Sequence, residues 1–146
     1  MQSVDTNILF HALNEDSPHH PRAMVFVESL TEREDVAISE FMLAELYRLL
    51  RNPAVLVRPL DASGAVRIIR HFRSHPRWKL IGSPIDDRAM HEALWANAAK
   101  SGFAFRRLYD VCLALTLRQH GVTDFATANV RDFTGLGFAR VWNPLD

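Results

Sequence analysis

Apolar residues fall in short runs, each broken by polar residues, Pro or Gly. Val4-Asp5-Thr6-Asn7-Ile8-Leu9 reads as a short strand running into a turn or helix. Asp16-Ser17-Pro18 then predicts a helix start, with Ser17 as cap and Pro18 in the first turn, leading into apolar positions from Ala23 to Leu30. Val36-Ala37-Ile38 is a second strand. Ser39 offers a cap to a helix over 40–50, which Asn52-Pro53 ends. Asp61-Ala62-Ser63 opens a helix that stops before Pro76, and Trp78 to Ile81 reads as a strand. Pro84-Ile85-Asp86-Asp87 opens a helix to about Lys100. The most apolar helix runs from Leu108 to His120, with Gly121 closing it. Val122 to Ala126 and Val141-Trp142 complete the strands.

Strands that alternate with helices along the whole chain predict an α/β fold with a mainly parallel central sheet flanked by helices. No repeat or linker divides the sequence, so residues 1–146 are expected to form a single domain. In such sheets, sites form at the carboxyl ends of the strands. Asp5 and the residues after Ala126 both fall there.

Composition changes this picture little. Hydrophobic residues make up 48%, and 17 Lys and Arg balance 17 Asp and Glu. That excludes a disordered or collagen-like chain, and any nucleic-acid footprint must be local rather than global. No run is long and apolar enough for a membrane span. The N-terminus lacks a basic segment followed by a long apolar one, so no signal peptide is expected. The lone Cys112 cannot form an internal disulfide, and its apolar surroundings suit a buried thiol in a reducing cytoplasm.

Most acids have ordinary roles at helix starts or on solvated faces. Three do not. Asp5 ends a buried-looking strand. Glu45 sits mid-helix on or beside an apolar face, and Asp110 leads into Val111-Cys112-Leu113-Ala114-Leu115. Buried carboxylates are costly singly, and either a hard divalent cation between them or separate pairing with Arg48, Arg106 or Arg107 would relieve the cost. The loop from Thr127 to Phe133 adds Thr127, Asn129 and Asp132 after a strand; Thr127 and Asn129 suit holding a carboxylate or a metal-bound water, while Asp132 otherwise caps a short turn.

The strongest cationic stretch holds Arg67, Arg70, His71, Arg73, His75, Arg77 and Lys79, interleaved with Phe72 and Trp78. Cations on phosphates and aromatics on bases would suit single-stranded RNA, and a solvated helix face is the alternative. Arg106 and Arg107 precede Asp110 and are placed to face the same region. His71 and His75 lack the further ligands that a zinc site needs.

Several of these segments, taken in order, resemble PIN-domain ribonucleases, and more narrowly the VapC toxins of toxin–antitoxin pairs. They are Val4-Asp5-Thr6-Asn7-Ile8-Leu9, Asp16-Ser17-Pro18-His19-His20, Ala44-Glu45-Leu46 with Asn52-Pro53, Tyr109-Asp110, Thr127 to Phe133 and Trp142-Asn143-Pro144-Leu145. The resemblance spans essentially the whole chain. It implies a PIN-like nuclease domain, a magnesium-dependent endoribonuclease (with manganese as a substitute), an antitoxin partner, an RNA substrate and a homodimer. Asp5, Glu45 and Asp110 would hold metal, with Thr6, Asn7 and Thr127 supporting them and Asn129 or Asp132 completing the site. If RNA is the substrate, the cationic residues noted above, Arg106, Arg107, Arg70 and Arg73, are the ones expected to bind it. Many relatives carry aspartate where Asn129 stands. Two other functions fit parts of the pattern. A phosphatase of the haloacid dehalogenase type also begins with Asp after a strand, but wants a second acid where Asn7 stands. A catalytically silent PIN-like binding module would have no reason to keep the three acids.

Overall fold

The alternation of apolar runs becomes five short strands, every adjacent pair parallel, in a computed structural model that describes residues 1–146. They are β1 (Gln2–Val4), β2 (Val36–Ser39), β3 (Lys79–Ile81), β4 (Asp124–Ala126) and β5 (Arg140–Trp142), in the order β3-β2-β1-β4-β5. The central strands β1 and β2 are buried at every position, whereas the edge strands β3 and β5 are partly exposed. That is the pattern of a parallel sheet covered on both faces.

The helices are α1 (Thr6–Leu13), α2 (His20–Leu30), α3 (Glu40–Leu50), α4 (Ala62–Arg73), α5 (Asp87–Ala98), α6 (Leu108–Gln119) and α7 (Val130–Phe133). A single 3-10 turn, Phe105–Arg107, leads into α6. The chain steps outward from β1 to β3, crosses back over the sheet to β4, and then steps outward to β5. Right-handed crossovers therefore put α1–α4 on one face and α5–α7 on the other. The packing agrees: α1 meets α2 and α3, and α3 meets α4, while α6 meets α5 and α7. The main core joins Ile8, Leu9, Met42, Leu46, Leu117 and Phe125, among others.

The helix starts follow their capping residues. Ser39 accepts from Met42 N–H, Asp61 from Gly64 N–H and Asp86 from Ala89 N–H. Gly121, at φ +85°, ends α6 in a conformation that a side chain would disfavour. Two expectations shift. The opening segment turns helical as early as Thr6, because Ile8, Leu9, Phe10 and Ala12 bury one face of α1. Ser17 and Pro18 do not start α2; Pro21 occupies its first turn, and Ser17 Oγ accepts from His19 N–H while contacting His11 Nδ1 at 2.7 Å. No helix is long and apolar enough to cross a membrane.

Candidate acidic active site

The sheet order reverses between β1 and β4, and chains leaving these two strands diverge to opposite sides. A crevice forms where they part. Val4 and Ala126 are in register, and the ladder runs on as Asp5 N–H donates to Ala126 O (2.8 Å) and Thr127 N–H to Trp142 O (2.9 Å). Asp5 and Thr127 are thus brought side by side from 122 residues apart, and Thr127 Oγ1 donates to Asp5 Oδ2 at 2.6 Å. The other Asp5 oxygen accepts from Thr6 N–H at 2.8 Å, at the start of α1. Both residues are buried.

Glu45 approaches from α3. Its Oε2 lies 3.1 Å from the Thr6 hydroxyl, which is also 3.3 Å from the Met42 carbonyl and can donate to one of them at a time. Glu45 itself is exposed, not set against the apolar face as its sequence neighbours suggest. Met42, Leu46 and Leu50 take the buried face, and Glu45 lies on the rim of the crevice. Met42, Leu46 and Leu50 are core, whereas Phe41 on the same helix stays exposed. Asp110 enters on the first turn of α6, which runs back along the sheet with its N-terminus at the carboxyl ends of the strands.

The electrostatics record this convergence. Burial pushes the Asp5 carboxyl up to about 7, opposed by the Thr127 hydrogen bond and reinforced by the charges of Glu45 and Asp110. Asp110, half-buried, is pushed up to about 6 by desolvation and by Asp132 and Glu45, with Arg107 and Arg106 pulling the other way. Asp5, Glu45 and Asp110 take part in none of the ion pairs. Separate arginine pairing is thereby set aside: Arg106 and Arg107 approach Asp132 instead, at 3.8 and 4.0 Å. Surplus negative charge at a buried carboxylate suits a cation. As the side chains stand, no three His, Cys, Asp or Glu residues close on one point.

The loop residues divide by role. Asn129 donates its backbone N–H to Thr127 Oγ1 at 2.9 Å, and its side chain is exposed. Asn7 Oδ1 accepts from Ala128 N–H at 3.3 Å, tying α1 to the loop. Asp132 is the loop acid whose charge reaches Asp110, and Arg107 donates to its backbone carbonyl at 2.6 Å.

In the Arg67–Lys79 stretch the aromatics are not free to stack on bases, and two of the arginines are paired. Phe72 and Trp78 are buried, and the Trp78 indole donates to the Leu30 carbonyl at 3.0 Å. Arg73 pairs with Glu40 at 2.6 Å, and Arg77 lies near Glu34 and Glu32. Arg70 is exposed and enters no ion pair. What sequence reasoning misses is a set of exposed aromatics nearer the acids: Phe41, Phe105 and Tyr109. The string Phe105-Arg106-Arg107-Leu108-Tyr109, just before Asp110, is the available signal.

A family model of the PIN domain matches residues 3–138. The chain is 46% identical over 145 residues to Ribonuclease VapC24 of Mycobacterium tuberculosis, covering 99% of this chain and 97% of that protein. Its fold is similar to the structure of FitAB bound to an IR36 DNA fragment, with a TM-score of 0.66, 22% identity and coverage of 100% of this chain and 96% of that one. It is also similar to Mycobacterium tuberculosis VapC20, described as a sarcin–ricin loop cleaving toxin, with a TM-score of 0.64, 16% identity and coverage of 86% and 87%.

Proposed function

This chain belongs to the PIN domain family, and on that premise we propose that it is a magnesium-dependent endoribonuclease acting as the toxin of a toxin–antitoxin pair. The observation that carries the reading is Asp5: a buried carboxylate without a cationic partner, within electrostatic reach of Glu45 and Asp110 at the sheet's switch point. Full-length similarity to a named VapC ribonuclease supports RNA as the substrate class. The phosphatase reading lacks its second acid, because Asn7 stands there.

Asp5 and Asp110 are the direct ligands in this reading, with Glu45 holding a second ion or orienting the attacking water. A bound divalent ion supplies a water of lowered pKa and stabilises negative charge developing on the phosphate. The chain does the positioning. Thr127 and Thr6 N–H fix both Asp5 oxygens, and the Thr6 hydroxyl restrains Glu45. Arg106, largely exposed, is placed to take a phosphate. A cytoplasmic location, a homodimer and an antitoxin that restrains cleavage belong to the same proposal.

The reading is tested by digesting single-stranded RNA and analysing the ends. Attack by water yields a phosphate on one product and an intact 3′-hydroxyl on the other, and a 2′-deoxy scissile nucleotide is still cleaved. Cyclic 2′,3′-phosphate ends would mean attack by the RNA's own hydroxyl and overturn it.

Two further results are expected. Asn129→Asp should tighten Mg²⁺ or Mn²⁺ binding by calorimetry if the added carboxylate reaches the ion's water shell, and Asp132→Asn should weaken it. No change in either variant would put Asn129 and Asp132 outside the site. Arg106→Ala should flatten the salt dependence of RNA binding by ~0.7 log unit for each phosphate left without its cation, with thermal stability unchanged. Arg107→Ala should also lower the melting temperature, because Arg107 holds the Asp132 backbone. An unchanged slope in both would move the RNA path toward Arg70 rather than the paired Arg73.

A further inference from the structure

Three exposed aromatic residues stand on or beside the helices that carry the acids. Phe105 is 92% exposed, Tyr109 66% and Phe41 43%. Phe41 and Tyr109 lie on the helices that carry Glu45 and Asp110, and Phe105 lies in the 3-10 turn that leads into α6. Phe41 is one turn before Glu45 on α3, so the two share a helix face. Tyr109 directly precedes Asp110. Phe105 lies four residues before Tyr109 on a continuous helical path through the 3-10 turn. The Phe41 and Tyr109 rings stack across the two helices, with centroids 6.0 Å apart and planes at 29°.

We propose that Phe41, Phe105 and Tyr109 form a stacking platform for unpaired RNA bases at the mouth of the acidic cleft. The proposal rests on the ribonuclease reading and extends it to how the substrate strand is held. Rings left in water beside a site forgo burial; the stacked Phe41–Tyr109 pair, with Phe105 just ahead of it on the turn into α6, offers flat apolar faces there. The choice of occupant follows from the neighbours. The Arg106 side chain is 71% exposed and stands 3.8 Å from Asp132 Oδ2, a loose pair that a phosphate can compete for. Flat rings for bases beside a guanidinium for the backbone are the combination that single-stranded nucleic acid requires. Of the other exposed apolar residues, Met24, Val25, Val55, Val57, Leu60, Val66 and Ile85 have no ring to stack, and Trp95 lies on α5, which carries none of the three acids. Stacking has little base preference, so the platform selects unpaired strand over duplex rather than a sequence.

The test uses the full chain in EDTA, where cleavage is off, and a single-stranded oligoribonucleotide carrying 2-aminopurine. Stacking quenches that base. The wild-type chain should bind and quench. Phe105→Ala and Tyr109→Ala should each weaken binding about tenfold and lose much of the quench, while the salt slope stays as in wild type. Phe105→Trp should retain both affinity and quench. A duplex RNA should bind the variants and the wild type alike. Affinity and quench within twofold of wild type in both alanine variants would overturn the proposal. So would variants that lose binding only through a change in oligomeric mass or melting temperature, which would make the surface a protein interface. If those variants bind normally while the wild type cleaves on adding Mg²⁺, the platform alone is wrong. If the wild type neither binds nor cleaves the RNA, the ribonuclease reading falls with it.

Discussion

Replacing Asp5 or Asp110 with Asn is expected to lower metal-dependent RNA cleavage by well over 100-fold while the chain stays folded. Supporting residues around a metal typically cost about 10–100-fold, so the direct ligands should exceed that range. The substitution keeps shape and hydrogen bonding. In Asp5→Asn the amide oxygen can still accept from Thr6 N–H, and the amide nitrogen can donate to the Thr127 hydroxyl that now donates to Asp5. What is removed is charge. Glu45→Gln should cost less, because Glu45 is exposed and held by one hydroxyl. Cleavage rates on single-stranded RNA, with circular dichroism to check folding, measure this. Full activity in a folded Asp5→Asn chain would show that the acids are not the site.

The second large effect is on stability in the absence of metal. Burial and neighbouring acids raise Asp5 from the ordinary 3.8 to about 7. Between those values the folded chain holds a proton that the unfolded chain has lost. Stability therefore falls as pH rises through that window and stays low above it. Asp110, raised to about 6, acts in the same direction over a narrower range. Asp5→Asn abolishes the larger contribution. At pH 8 in EDTA the variant should be more stable than wild type by up to ~4 kcal/mol, the free energy of a pKa difference of this size. The gap should close toward pH 4.5. Adding Mg²⁺ at pH 8 should raise the wild-type melting temperature and leave Asp5→Asn nearly unchanged, since only the intact site binds the ion more tightly when folded. A variant less stable than wild type at pH 8 would mean that Asp5 is a structural anion with an unseen partner.

Much of this is readable from residue order, and the exceptions have physical causes. A carboxylate after a short apolar strand marks Asp5, and an acid opening the most apolar helix marks Asp110, because each conflicts with its local pattern. Ser39, Asp61 and Asp86 announce their helices through capping chemistry, which is local. Glu45 is legible as a candidate site acid, but its exposure is not. Periodicity places a residue near an apolar stripe without saying which flank meets a crevice, and here Thr6 and Met42 decide that. Ser17 fails as a cap because its hydroxyl is taken by the turn it sits in and by His11. The Arg67–Lys79 stretch looks free in the sequence because its partners, Glu40, Glu32 and Glu34, are 33 or more residues away. Phe72 and Trp78 look available for the same reason, since what covers them comes from other elements. Phe105 and Tyr109 escape notice because nothing local says that a ring beside two arginines stays in water.

The acid cluster as the seat of metal-dependent RNA hydrolysis is tested most directly by removing metal and adding it back. The chain is dialysed exhaustively against EDTA and assayed on single-stranded RNA while Mg²⁺ is titrated in. No cleavage is expected without metal, followed by a saturable return of rate, with saturation shifted far upward or absent in Asp110→Asn. Undiminished cleavage in EDTA, or no cleavage by the folded wild-type chain at any Mg²⁺ or Mn²⁺ concentration, would contradict that assignment.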